Sequence, residues 1–164
     1  MFNRHITHLA LLALTSLSVI APGFANAAGA TPALQAFGKG VQIYTCTATG
    51  NDYAWHLKAP EATLSDAHGK VIGKHFAGPS WRANDGSTVV GEPLNASPSP
   101  NQGAIPWLVL HAKSHDGSGD MASVAYIVRT QTEGGVAPAT GCDAGHANAE
   151  LRVPYTAVYL FFHG

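Results

Sequence analysis

The chain has 164 residues, nine lysines and arginines against ten aspartates and glutamates, and a formal net charge of −1 with histidine neutral. Its cations form no basic run, so the electrostatic footprint of a nucleic-acid partner is missing. The length fits one domain that can bury its own core without metal or several crosslinks. The chain opens with MFNRHITHLALLALTSLSVIAPGFANA. Arg4, His5 and His8 form a short basic head, Leu9 to Ile20 is apolar except for Thr15, Ser16 and Ser18, and Ala25-Asn26-Ala27 fits a small-x-small cleavage pattern. That order predicts a secretory signal peptide over residues 1–27. The apolar run is shorter than the roughly 20 residues that span a bilayer, so no membrane anchor is expected after cleavage. The mature protein is therefore expected in the periplasm or secreted. Residues 28–39 read as a lead-in, where Thr31 to Gly38 suits a single helical turn with Pro32 near its start. Residues 40–164 read as one β domain.

Alternation of period two recurs from there on. Val41 and Ile43 share one face of VQIYTC, with Tyr44 and Cys46 on the other. A polar loop from Ala48 to Asp52 leads to YAWHLK, where Tyr53, Trp55 and Leu57 oppose Ala54, His56 and Lys58. A further run ends near Leu64, Asp66 to Gly69 carries turn chemistry, and Val71 to Phe76 returns as a hairpin. Thr88 to Gly91 reads as a short strand. Asn95 to Gly103 reads as a loop, because Pro98 and Pro100 cannot donate to a ladder. Trp107 to Lys113 places Leu108, Leu110 and Ala112 on one face. After the flexible Ser114 to Asp120, Met121 to Thr130 sets Val124, Tyr126 and Val128 against Ala125, Ile127 and Arg129. Glu133 to Ala149 is a long Gly- and Ala-rich loop. In the closing VPYTAVYLFFHG, Tyr155, Ala157, Tyr159 and Phe161 alternate with Thr156, Val158, Leu160 and Phe162. Both faces of that strand are apolar, which places it centrally or covered on each side. The expectation is an all-β fold: an antiparallel β-sandwich or barrel of roughly eight strands with long loops.

Cys46 and Cys142 are the two cysteines. In an oxidising compartment a disulfide is the default for such a pair, closing a loop of about 97 residues. Two free thiols are the alternative, without a C-x-x-C pattern to support them.

The segments GVQIYTC, APEATLSDAHGKVIGKHFAGPSW, IPWLVLHAKS, AYIVRTQTEGGVAPATGC and VPYTAVYLFF resemble, in order, the secreted bacterial and fungal family described as domain of unknown function 3455. The resemblance runs from Gly40 to Phe162. It implies no agreed activity, cofactor or catalytic residue. Some fungal members carry a dehydrogenase label, but no G-x-G-x-x-G follows a strand here and no strand–helix alternation supports a nucleotide fold.

Seven histidines lie beyond residue 27: His56, His68, His75, His111, His115, His146 and His163. Ligands on a strand favour a spacing of two, and no His-x-His occurs, so neither a metal nor another cofactor is indicated. His56 and His75 are the pair to watch for convergence. Glu61 and Asp85 are the carboxylates to consider for acid–base hydrolysis. Asp85 precedes Gly86, however, and Glu61 follows Pro60, which suits local structural roles. Gly117-Ser118-Gly119 is loop filler, and no nucleophile elbow is present. In GKHFAGPSWRANDGS the glycines and Pro79 explain a turn. His75, Trp81, Arg82 and Asp85 remain as ligand-binding candidates, an aromatic ring with nearby polar groups at a loop. Trp55, Trp81 and Trp107 equally suit a core. The leading expectation is a non-enzymatic exported module that binds a small molecule, a glycan or a cell-envelope component. One alternative is a metal-assisted or acid–base hydrolase using converging histidines and Asp85. The other is a structural envelope protein.

Overall fold

The computed structural model describes residues 31–164. The expected signal peptide and the first residues of the lead-in lie outside them. Eight strands follow in order: β1 Leu34–Thr49, β2 Asp52–Ser65, β3 Val71–Phe76, β4 Ser80–Ala83, β5 Thr88–Ser97, β6 Trp107–Asp116, β7 Val124–Gly134 and β8 Glu150–His163. A single turn of 3-10 helix, Ala144–His146, interrupts the last loop. Among the described residues no helix is long and apolar enough to cross a membrane.

Each strand pairs antiparallel with the next, and β8 returns to pair with β1, so one sheet closes into a barrel. The two-sheet sandwich alternative is thereby set aside. β8 has a strand neighbour on each side, β7 and β1, so it presents no free edge. The inward row of β8, Tyr155, Ala157, Tyr159 and Phe161, is buried. It packs with Ala36, Leu64, Trp81, Val89, Leu110 and Ile127 from the other walls.

The observed strands differ from the expected runs at several places, β5 for one running on to Ser97 into the expected Asn95 to Gly103 loop. The helical turn expected over Thr31 to Gly38 is absent, because Leu34 to Lys39 already pair with β8 and Phe37 to Lys39 with β2. The two runs around Tyr53 to Leu64 are one strand, carried past Pro60 by a register shift opposite Ile43 and Tyr44. β4 is a strand of four residues that the turn chemistry of Gly78-Pro79 and Asp85-Gly86 hides on both sides. Another difference lies inside β7. A register shift between Val124 and Tyr126 reverses the alternation there. Val124 and Ile127 are both buried, whereas Tyr126 is exposed. Bulges of this kind bend a strand and re-aim its side chains.

An up-and-down barrel puts its connections alternately at its two ends. Residues 50–51, 77–79, 98–106 and 135–149 therefore gather at one end. Residues 66–70, 84–87 and 117–123 gather at the other, with the start of β1 and the end of β8. The second end is tied shut. Asp85 Oδ1 accepts from the Ser87 amide at 2.8 Å and the Ser87 hydroxyl at 2.6 Å, and Asp85 Oδ2 accepts from the Asp120 amide at 2.8 Å. The Met121 amide donates to the Ser87 hydroxyl at 3.0 Å, and Met121 is buried beneath it. At the first end the 135–149 loop is fastened to β1 by the Cys46–Cys142 disulfide. The Cys46 amide also donates to the Ala149 carbonyl at 2.9 Å, and the Asn148 amide to the Cys46 carbonyl at 2.8 Å. Gly135 in this loop has φ +89°, and an added Cβ would lie 2.9 Å from both Ile105 and Tyr155. Only glycine lets the loop sit so close over the interior.

Candidate functional site

Toward the first end, beside the 77–79 turn, lies a cavity of about 330 Å³, lined by Gln42, residues 57–60, His75, Gly78, Pro79, Trp81, Pro93, Leu108, Leu110 and Arg129. Seven of the eight strands or their turns contribute to it. Its floor is deep: Gln42, His75, Trp81 and Leu110 are buried. Its mouth is open, because Leu57 is 57% exposed. The size lies at the lower end of the range of small-molecule sites, about 300–1,000 Å³.

The floor follows from local sequence. His75 and Trp81 are directly paired across the β3–β4 ladder, with the 77–79 turn between them. Their rings stack, with centroids 4.4 Å apart and planes 12° from parallel. Tyr159 approaches both rings, at 5.1 Å and 5.6 Å, and Phe161 meets Trp81 edge-on at 6.1 Å. Gly91 on β5 makes room for the indole, since an added Cβ would lie 2.9 Å from Trp81 and 3.1 Å from Leu110.

His75 Nδ1 lies 2.9 Å from the Ser80 carbonyl. A carbonyl only accepts, so Nδ1 carries the proton and Nε2 is the acceptor of a neutral ring. Burial lowers the His75 pKa from 6.5 to about 4; its hydrogen bond to Ser80 opposes this and the Arg129 charge adds to it. The unfolded state then binds more protons than the folded state as pH falls from 6.5 to about 4. Folding stability should therefore drop across that window, by about 3 kcal/mol in all. Urea unfolding at pH 7 and pH 4 checks this. The native protein should lose about 3 kcal/mol more between the two than a His75→Phe variant, and equal losses would refute the assignment.

Two buried polar atoms of the lining have no hydrogen-bond partner among the described residues: Gln42 Oε1, an acceptor, and Trp81 Nε1, a donor. Buried polar groups are almost always paired, so each such atom marks a place for a missing partner. Arg129 adds a charge. Its Nε and Nη2 both donate to the Pro106 carbonyl, at 3.0 Å and 2.7 Å. It takes part in none of the ion pairs among the described residues. Burial lowers its pKa from the ordinary guanidinium range, and Tyr159, Tyr155 and Tyr44 raise it again. The Tyr155 and Tyr159 hydroxyls share a hydrogen bond of 3.1 Å, and burial raises the pKa of both. Among the described residues no carboxylate lines the cavity. At the rim Lys58 is ion-paired to Glu150.

The four residues singled out in GKHFAGPSWRANDGS thus part company. His75 and Trp81 meet on the cavity floor. Arg82 lies one residue from Trp81 and so faces outward, where its Nε donates to Thr88 Oγ1 at 3.0 Å and its guanidinium lies 5.4 Å from the Phe76 ring centre. Asp85 sits at the opposite end of the barrel in the stitch described above. Those hydrogen bonds, the Ser87 hydroxyl first, hold its pKa below the ordinary carboxylate value. His56 is exposed and bonded to Thr49 Oγ1 at 2.9 Å, so it does not join buried His75. Glu61 is paired with Arg152 at 3.0 Å on the outer surface. Among the described residues no three His, Cys, Asp or Glu side chains gather as they would around a metal ion. Of the tryptophans, Trp55 is bonded to the Thr140 carbonyl at 3.1 Å, whereas Trp81 alone belongs to the buried core.

Gln42 and Arg129 were not among the sequence candidates. Each carried a faint signal: a polar side chain in phase with inward neighbours, Gln42 with Tyr44 and Cys46, Arg129 with Ile127.

A family model described as protein of unknown function (DUF3455) matches residues 27–163. No curated protein and no solved structure matches the chain.

Proposed function

The chain belongs to the family of proteins of unknown function DUF3455, and from that premise we propose that it is an exported, non-enzymatic protein that binds a small molecule in the open end of its barrel. Eight-stranded antiparallel barrels have an interior just wide enough to be filled by side chains or to hold one small ligand. Here the far end is filled and stitched, and the near end keeps an open cavity. The observation that carries the reading is the pair of unpartnered polar atoms on that floor, Gln42 Oε1 and Trp81 Nε1. A purely structural envelope protein has no need of such a cavity. The ligand-binding reading is also favoured over hydrolysis, because among the described residues no carboxylate pair and no Ser or Cys nucleophile lines the cavity. Export is supported by the signal pattern of residues 1–27 and by the Cys46–Cys142 disulfide, a bond that persists in oxidising compartments.

The test uses N-phenyl-1-naphthylamine, a neutral dye that brightens in apolar surroundings. It should bind the native protein saturably at one site. Leu108→Trp, which fills the cavity from β6, should weaken binding at least tenfold. Leu57→Trp, at the exposed rim where the fold is indifferent to side-chain size, should weaken it as well. Dye binding unchanged in both variants would sink the proposal.

A further inference from the structure

Resting on that reading of the cavity, we infer that its ligand is an apolar molecule bearing one carboxylate, seated with the carboxylate against Arg129 and the Trp81 indole N–H. A guanidinium drawn partly out of water is costly unless an anion compensates it. Arg129 is in that position: the Pro106 carbonyl takes Nε–H and one Nη2–H, the Tyr159 hydroxyl lies beside the guanidinium, and no carboxylate pairs with it among the described residues. Both of these neighbours are neutral, so the positive charge is left for an anion. Trp81 Nε1 can only donate, and it lacks an acceptor. Two donor groups, one of them cationic, thus await an acceptor in a cavity that no carboxylate of the described chain lines.

The charge count selects a monoanion. Lys58, the other cation of the lining, is already neutralised by Glu150 at the rim. One uncompensated positive charge matches one negative charge, and a dianion would leave its second charge stranded. The planar fork of a guanidinium also suits the planar carboxylate. Gln42 does not oppose this. Its Oε1 has no partner to hold it, so a half-turn of the amide presents N–H to the same anion. The rest of the ligand faces Leu57, Pro60, Pro79, Pro93, Leu108 and Leu110, which offer only apolar surface.

The experiment compares 2-naphthoate with uncharged 2-naphthamide, each displacing N-phenyl-1-naphthylamine at pH 7. The native protein should prefer the acid by roughly ten- to hundredfold, the range of a charge-assisted hydrogen bond set in a partly desolvated site. In Arg129→Gln the preference, read as the ratio of the two affinities within that variant, should collapse to near unity. Arg129→Lys should keep part of the preference, because the charge stays and the fork is lost. Equal affinity for acid and amide in the native protein, with the dye still bound, would overturn the carboxylate and leave the cavity reading standing. A preference that survives Arg129→Gln would overturn it as well. If the dye does not bind at all, the cavity reading falls and this inference with it.

Discussion

The double variant Cys46→Ser/Cys142→Ser is expected to lose about 4–5 kcal/mol of unfolding free energy. The two cysteines lie 96 residues apart in sequence, so the bond removes much of the freedom of the unfolded chain. It closes most of the barrel into one loop, from β1 to the segment just before β8. Total stabilities of single domains run at about 5–15 kcal/mol, so a loss of this size brings a domain to the margin. The native side of the balance also changes. Without the bond, the 135–149 loop keeps the backbone hydrogen bonds of Cys46 to Ala149 and Asn148, and the Tyr44 hydroxyl still donates to the Gly135 carbonyl at 2.7 Å. No residue of 135–149 lines the cavity, so dye affinity should fall less than stability does. Urea unfolding of the oxidised native protein and of the double variant checks the value. A difference below about 1 kcal/mol would show that the loop is held by its hydrogen bonds and packing alone.

Trp81→Ala should be as severe, with a loss of about 3–5 kcal/mol, the range for truncating a large buried aromatic. The indole is 1% exposed and touches the rings of His75, Tyr159 and Phe161. Its removal joins the open cavity to the barrel core and leaves glycine at position 91 facing empty space. Trp81→Phe should recover more than half of the loss, because it refills the volume without restoring the N–H. The pair separates two roles of the one side chain. Stability should follow ring size, whereas the preference for 2-naphthoate over 2-naphthamide should fall several-fold in Trp81→Phe as well, since phenylalanine donates no hydrogen bond. A Trp81→Ala protein as stable as the native one would show that the ring is not a keystone of the wall.

Much of this architecture was legible before any coordinates. Alternation in Val41 to Cys46, Trp107 to Lys113 and Tyr155 to Phe162 marks strands, because successive side chains on a pleated backbone point to opposite faces. The doubly apolar β8 signals a strand without a free edge. The disulfide follows from a single pair of cysteines. The misplaced details have a common cause. The end of β2 beyond the Ile43/Tyr44 bulge, the reversal at Ala125 in β7, and the brief β4 all depend on pairing with another strand. A bulge costs nothing visible in composition, yet it moves Arg129 and Val124 onto the same side.

The site shows the same division. His75 and Trp81 were recognisable as an aromatic pair flanking a turn, and cross-strand pairing brought them together. Arg82 and Asp85 lay beside them in sequence but fell to the outer surface and the far end. One residue along a strand changes the face, and one hairpin changes the end of the barrel. Chain alternation and the single cysteine pair, local or compositional properties, already committed this protein to a disulfide-bearing β architecture. Which polar groups share the cavity was decided by register and closure alone, because Gln42, His75, Trp81 and Arg129 come from four different strands and meet only when the sheet rolls shut.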